Sequence, residues 1–147
     1  MNEFEHVRIL LVEDSPVDAE LTIRALKDGK LVNTVEWVKD GQQALDYLFR
    51  EGAYADRDDN APQLVLLDLK MPRVSGIEVL KAIKSDARTR RIPVVIMTSS
   101  QEESDLSVSY DLGVNSYVVK PVDFISLTNL ARQAGYYWLA INHPSPP

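Results

Sequence analysis

Residues 64–68 read Leu64-Val65-Leu66-Leu67-Asp68, four apolar residues that lead directly into an acid. A segment that is apolar at every position fits a strand buried on both faces of a parallel sheet. Ile9–Val12 and Val94–Met97 have the same character, so three central strands are predicted. Val35–Val38 alternates more and is predicted to be an edge strand, and Tyr117–Val119 is predicted to be the fifth strand.

Segments whose apolar residues recur at helical intervals lie between and after these strands. The segments with this spacing are 16–28, 41–51, 75–87, 101–112 and 123–141. At the start of the first helix, Ser15 is predicted to be the N-cap and Pro16 the first helical residue. Strands that alternate with helices predict an α/β domain with a parallel sheet. The longer connections, 50–62 and 88–91, are expected to be solvated loops.

The composition excludes several kinds of site. The 147 residues contain no cysteine and two histidines, His6 and His143, so disulfides, thiolate metal sites and histidine-based triads are not expected. A net charge of −6 argues against a nucleic-acid-binding surface. No apolar stretch reaches the ~20 residues of a membrane span, and residues 1–6 lack the features of a secretory signal, so the expected location is the cytoplasm.

Polar residues follow four of the predicted strands. They are Glu13-Asp14, Asp68, Thr98 and Lys120. The carboxyl ends of parallel strands meet at one edge of the sheet, which is where α/β domains bind ligands. Three carboxylates crowded there would repel one another, and a divalent cation relieves that repulsion. An all-oxygen ligand set suits Mg²⁺ or Mn²⁺ rather than zinc.

The same edge has the groups that phosphoryl transfer to a carboxylate requires. Asp68 is a candidate acceptor, Lys120 can hold a phosphate as a point charge, and the Thr98 hydroxyl can donate to a phosphoryl oxygen. Each residue alone has a simpler explanation as a helix cap or a turn. Five such residues at one edge of a sheet are hard to obtain by chance.

The residues around these positions resemble the response regulator receiver domain, from about Val7 to Leu139. The segments that carry the resemblance are Asp68-Leu69-Lys70-Met71-Pro72 with Gly76, Pro93–Thr98, Gly113–Tyr117 and Lys120-Pro121. The resemblance implies a flavodoxin-like three-layer (βα)5 sandwich with a five-stranded parallel sheet of order 2-1-3-4-5; a chemotaxis receiver is the standard example of that order. It also implies an N-terminal arm at 1–6, a receiver domain at 7–141 and a tail at 142–147, with no output domain.

The resemblance assigns roles to individual residues. Asp68 would accept a phosphoryl group from a phosphohistidine on a sensor histidine kinase, while Lys120 and Thr98 would contact that group. Thr98 and Tyr117 would form a two-state switch. The implied ligands of Mg²⁺ or Mn²⁺ are Asp14, Asp68, the backbone carbonyl of Lys70 and, through water, Glu13. The domain would catalyse only its own phosphorylation and slow autodephosphorylation.

The C-terminal segment narrows the resemblance. Tyr137-Trp138-Leu139 with Asn142 and Pro144 is similar to the stand-alone receivers that pair with phytochrome-type histidine kinases. Output is then expected through docking to a downstream protein or through phosphoryl passage to a phosphotransfer protein. The alternative is a receiver-like module that binds its partners without being phosphorylated.

The last predicted helix also suggests self-association. Its apolar residues recur with a period of 3.5, and they are Phe124, Leu127, Ala131, Ala134, Trp138 and Ile141. A helix of this length is longer than the short strands, so its last two turns are expected to extend beyond the sheet. We therefore predict a homodimer whose interface includes Tyr136, Tyr137, Trp138 and Ile141.

Overall fold

The structure is a computed structural model of the 147-residue chain. It describes residues 8–28, 34–58, 61–69, 71, 73–98, 111, 113 and 116–119. At residues 25, 27, 28, 34, 98 and 116–119 it describes the backbone alone.

Five parallel strands form one sheet. They are β1 (Arg8–Val12), β2 (Thr34–Val38), β3 (Leu64–Asp68), β4 (Val94–Thr98) and β5 (Ser116–Val119). Their order across the sheet is β2-β1-β3-β4-β5, and every described pairing is parallel. The predicted architecture and strand order are therefore confirmed, and β2 is an edge strand as its alternating pattern indicated.

The central strands are buried on both faces, as their continuous apolar sequences predicted. Ile9–Val12 and Leu64–Leu67 are at most 1% exposed. Because successive side chains of a strand point to opposite faces, complete burial requires cover on both sides of the sheet. On one side, Leu10 and Val65 belong to a cluster that also contains Tyr47 of the second helix.

Three helices are described. They are α1 (Pro16–Asp28), α2 (Gly41–Phe49) and α3 (Gly76–Ser85). The Ser15 hydroxyl accepts a hydrogen bond from the Asp18 amide at 3.2 Å, which confirms the predicted N-cap of α1. Helix α2 ends two residues before the predicted boundary because Arg50 adopts a left-handed conformation, with φ of 54°, and its amide donates to the carbonyls of Asp46 and Tyr47.

Most described residues of the connection at 50–62 are exposed, as expected for a solvated loop, but part of it packs against the domain through Tyr54 and Arg57. It contains a 3-10 helix, Gly52–Tyr54, whose Tyr54 ring contacts the Tyr47 ring edge to face at 5.2 Å. The Arg57 guanidinium lies over the Tyr47 ring, and its Nε donates to the Tyr47 carbonyl at 2.8 Å. Arg57 thereby adds a second, shorter hydrogen bond to a carbonyl near the end of α2, beside the weaker one from the Arg50 amide.

Two of the predicted helices, 101–112 and 123–141, lie outside the described residues, apart from Asp111, which is helical. Gly113 has a φ of 92°, in keeping with the glycine expected after the first of these helices. In the part of the chain that the structure describes, no helix is long and apolar enough to cross a membrane.

Candidate functional site

Three acids meet at the carboxyl edge of the sheet. Glu13 and Asp14 follow β1, and Asp68 ends β3 beside it, in the register that pairs Val12 with Leu67. One carboxylate oxygen from each acid lies within 4.8 Å of the others. Glu13 and Asp68 are buried, at 0% and 5% exposed, whereas Asp14 is exposed to solvent. The structure therefore brings together the three carboxylates that the sequence placed at this edge.

Hydrogen bonds hold the backbone around Glu13 on both sides. Its amide donates to the Val38 carbonyl at 3.1 Å, which extends the pairing of β1 with β2 by one residue. Its carbonyl oxygen accepts from the indole Nε1 of Trp37 at 2.8 Å. Its carboxylate Oε2 accepts from the Ser15 amide at 3.1 Å, so the side chain also helps to start α1.

Asp68 is positioned by a tight return of the chain. The Gly76 amide donates to the Leu69 carbonyl at 2.9 Å, so the start of α3 comes back onto the end of β3. A Cβ atom on Gly76 would overlap the carbonyl oxygen of Asp68 and the Cα of Leu69. Ser75, directly before it, caps α3 by accepting from the Glu78 amide at 3.3 Å. Glycine is therefore required at position 76 because the two backbone segments approach closely. Its own φ does not require glycine, because its backbone is that of an ordinary helix.

The start of α2 supports the same loop from the other side. A Cβ atom on Gly41 would overlap the Val74 carbonyl, so the two backbones are in direct contact. Beside them, Arg73 has a left-handed backbone with φ of 68°, and its guanidinium lies 3.5 Å from the Asp40 carboxylate. Asp40 also caps α2 by accepting from the Gln43 amide at 2.8 Å. The loop after Asp68 is thus held between the first residues of two helices.

The remaining predicted site residues are described in part or not at all. Thr98 ends β4, and its backbone pairs with Val119 of β5, directly before Lys120. Tyr117 lies on the outer strand β5, and its backbone pairs with Ile96 of β4. Lys70, Lys120 and the predicted dimer residues Tyr136, Tyr137, Trp138 and Ile141 lie outside the described residues.

The acidic cluster fits a hard divalent cation. Two full charges at this separation repel each other by about 3 kcal/mol at an effective dielectric of about 20. A cation held between them removes that cost, and carboxylate oxygens completed by water are the ligands that Mg²⁺ and Mn²⁺ prefer. Among the described residues this is the one group of three or more acids close enough to share an ion.

Comparison with known families agrees with this geometry. Residues 9–132 match the response regulator receiver domain. The chain belongs to this family. It functions as a phosphoryl-accepting response regulator, and receiver domains bind Mg²⁺ or Mn²⁺ at their acidic site.

Several relatives of this receiver are known. The probable methanogenesis regulatory protein FilR2 of Methanothrix harundinacea is 42% identical over 95% of this chain and 88% of its own length. The structure of the bacteriophytochrome response regulator RtBRR is 52% identical, with a TM-score of 0.83, over 95% of this chain and 84% of that one.

Two further structures bear on the acidic site. The phosphorylated cyanobacterial phytochrome response regulator RcpA is 40% identical, with a TM-score of 0.78, over 95% of this chain and 99% of that one. The Mn²⁺-bound form of response regulator Rcp1, a Synechocystis protein, is 36% identical with a TM-score of 0.75, over 90% of this chain and 94% of that one.

Sequence reasoning missed the residues that support the receiver's acids. In the sequence, Trp37 is one position of an alternating strand, and no local pattern distinguishes Gly41 or Arg73. These contacts join segments far apart in the chain, so no local pattern reveals them. A tryptophan near the end of an edge strand is the one available signal, because a half-buried indole N–H needs an acceptor.

Proposed function

We propose that Asp68 accepts a phosphoryl group from a phosphohistidine on a sensor histidine kinase. The observation that carries this proposal is the meeting of Glu13, Asp14 and Asp68 at the carboxyl edge of a receiver sheet. Asp68 is the proposed acceptor because it opens the Asp68–Pro72 segment, followed by Gly76, that carries the resemblance to receiver domains, while the other two acids approach from the neighbouring strand.

In the reaction, a carboxylate oxygen of Asp68 attacks the phosphorus as the bond from phosphorus to the histidine nitrogen breaks, and the carboxylate becomes an acyl phosphate. When bound at this site, Mg²⁺ or Mn²⁺ would neutralise charge between the carboxylate and the incoming group. Asp14, Asp68 and the Lys70 carbonyl would hold that ion directly, and Glu13 would help through water. Lys120 pairs with the phosphoryl group and Thr98 donates a hydrogen bond to it. Later attack of water on phosphorus returns the carboxylate, which is the slow autodephosphorylation.

The proposed kinase is of the phytochrome type. This chain is 52% identical to a bacteriophytochrome response regulator and 40% identical to a cyanobacterial phytochrome response regulator, in both cases over 95% of its length. Phosphotransfer from a panel of histidine kinases, compared at short times, tests the pairing. Preferential transfer from a kinase without a phytochrome sensor would contradict it.

The proposed output is a change of docking surface in the cytoplasm. Thr98 and Tyr117 belong to neighbouring strands, so a shift of Thr98 towards the phosphoryl group can be passed to the outer strand. The receiver at 7–141 would present this surface to a downstream protein or a phosphotransfer protein, and the last helix would pair two copies through Tyr136, Tyr137, Trp138 and Ile141.

Asp68→Asn tests the acceptor. This variant keeps the shape of the side chain but removes the nucleophile, so labelling by a phosphorylated kinase or by acetyl phosphate should disappear. Asp86→Asn, which changes an acid at the far end of α3, should be labelled like the parent. Labelling of Asp68→Asn at the parental level would refute the assignment.

Beryllofluoride with Mg²⁺ separates this function from a binding module that is not phosphorylated. A phosphoryl-accepting receiver should bind the analogue at Asp68 and change the NMR resonances of residues near Thr98. An unphosphorylated module should show neither effect.

A further inference from the structure

Trp37 contacts the acidic site from the neighbouring strand β2. Its indole Nε1 lies 2.8 Å from the carbonyl oxygen of Glu13. That carbonyl belongs to the peptide group joining Glu13 to Asp14, so one hydrogen bond fixes the orientation of the peptide that connects two of the three acids.

The pairing of β1 with β2 explains why an indole is needed. Their register places Glu13 opposite Lys39, and in a continued parallel ladder the Asp40 amide would donate to the Glu13 carbonyl. Strand β2 ends at Val38 instead, and Asp40 becomes the N-cap of α2. The Trp37 side chain takes the place of that ladder donor, and β2 can turn away without leaving the carbonyl unsatisfied.

The ring is itself held in place. The Lys39 ammonium lies 5.3 Å from the centre of the Trp37 ring, within the range of a cation–π interaction. The Lys39 amide donates to the Gln43 side chain at 2.8 Å, which ties this residue to the first turn of α2. The donor at Nε1 is therefore fixed before any ion or phosphoryl group arrives.

We propose that Trp37 is a positioning residue for the metal site, acting on Glu13 and Asp14 through the peptide that joins them. This inference rests on the proposed function, since it presumes that these acids hold Mg²⁺ or Mn²⁺. Residues that orient metal ligands without touching the ion commonly change affinity by tenfold or more. The indole acts on the backbone rather than on a ligand atom, so a smaller effect is expected.

Trp37→Phe removes the donor and keeps an aromatic ring. Electron paramagnetic resonance of free Mn²⁺ measures binding directly, without any phosphorylation. Trp37→Phe should bind Mn²⁺ about threefold to tenfold more weakly than the parent, as expected for one lost hydrogen bond. Val35→Ala is the matched control, because it removes volume from the same strand, two residues earlier on the same face, and should bind like the parent.

A second measurement does not depend on how well Trp37→Phe folds. Trp138→Phe leaves Trp37 as the one tryptophan of the chain. Its indole N–H resonance should shift as Mg²⁺ is added, with the same midpoint as the displacement of Mn²⁺. If the role of Trp37 were purely structural, Trp37→Phe would lower the free energy of unfolding without changing the Mn²⁺ affinity. The indole resonance of Trp37 would then stay in place as Mg²⁺ is added.

The outcomes distinguish the two proposals. If the parent binds Mn²⁺ and Asp14→Asn does not, the metal site stands. Parental Mn²⁺ affinity in Trp37→Phe, or an indole resonance that ignores Mg²⁺, would then overturn the role of Trp37 alone. If the parent itself binds no Mn²⁺, the proposed site fails and the role of Trp37 fails with it.

Discussion

Repulsion among Glu13, Asp14 and Asp68 is the main feature of the receiver at the scale of single residues. Two of these acids are almost fully buried, and oxygens of all three lie within 4.8 Å of one another. Like charges held this close repel one another, and a cation that binds between them relieves that repulsion. An ion that binds only the folded state stabilises it by RT ln(1 + [L]/Kd).

Removing one charge should reveal this repulsion. Asp14→Asn should raise the free energy of unfolding measured without metal by about 0.2–1 kcal/mol, because Asp14 is exposed and its interactions are screened. Mg²⁺ at its dissociation constant should stabilise the parent by about 0.4 kcal/mol and should not stabilise the variant. Urea unfolding with and without Mg²⁺ measures both effects. A parent whose unfolding is indifferent to Mg²⁺ would show that the three acids do not bind it.

Gly76 is the second feature at this scale, because a side chain there would displace the acceptor. Gly76→Ala should lower the free energy of unfolding by about 1–3 kcal/mol and also weaken Mn²⁺ binding, since the added methyl pushes on the Asp68 carbonyl. Gly52→Ala is the control. Its φ of 53° makes alanine costly by about 1–2 kcal/mol, but Gly52 lies in the 3-10 helix. Gly52→Ala should therefore lose stability but keep the parental Mn²⁺ affinity. If Gly76→Ala bound Mn²⁺ as tightly as Gly52→Ala does, the contact at Gly76 would have no effect on the site.

At the scale of elements, α3 ends in a local network of hydrogen bonds. The Asp86 carboxylate accepts from the amide and the Nε of Arg88, at 2.8 and 3.0 Å, and from the guanidinium NH2 at 2.9 Å. The Arg88 guanidinium also lies over the ring of Phe49 from α2, at 4.7 Å. Thr89 is 2% exposed, and its hydroxyl donates to the Ile83 carbonyl at 2.7 Å. The three arginines of the short basic segment are exposed, as expected for a solvated loop, while Thr89 and the Arg88 guanidinium anchor the segment to both helices.

This network determines how Asp86 titrates. Hydrogen bonds from Arg88 lower the pKa of Asp86 from 3.8 to about 2. Because the folded pKa lies below the unfolded one, the contribution of Asp86 to stability is present above pH 3.8 and is lost as the pH falls through about 2. NMR titration of the carboxyl carbon should show the low midpoint in the parent. In Arg88→Gln the pKa should rise towards 3.8 only in part, because the residue 88 amide still donates; a parental midpoint near 3.8 would rule the network out.

At the scale of the whole molecule, the sheet connects the acidic site to its outer edge. Asp68 ends β3, Thr98 ends β4, and Tyr117 lies on β5. Neighbouring strands are about 4.8 Å apart, and β4 alone lies between β3 and the edge strand β5. A structural change at Asp68 therefore has to pass through β4 to reach the edge of the sheet. The predicted dimer residues follow β5 in the sequence, outside the described residues.

Light scattering tests the homodimer. The parent should have twice the 16.5 kDa mass of the chain, and Trp138→Ala should shift towards the monomer because it removes a large apolar contact. Val17→Ala, which shortens an apolar side chain that is 67% exposed on α1, should keep the parental mass. A parent that is monomeric both with and without phosphorylation would refute the interface.

Much of the fold and half of the site follow from local sequence. Ile9–Val12 and Leu64–Leu67 are apolar at every position, and the shortness of these runs favours strands covered on both faces over buried helices. The acids that follow these strands must then lie at one edge, so the cluster of Glu13, Asp14 and Asp68 was predictable before any coordinate was known.

Only the tertiary structure determined how that cluster is held. The bond from Trp37 to Glu13 and the contact of Gly41 with Val74 join residues 24 and 33 positions apart. The packing of the connection at 50–62 likewise depends on Arg57 reaching back to Tyr47. Periodicity reports which face of an element is buried, because burial depends on each residue's own polarity. It does not report which distant backbone a side chain will meet, since that depends on where every other element of the fold has come to rest.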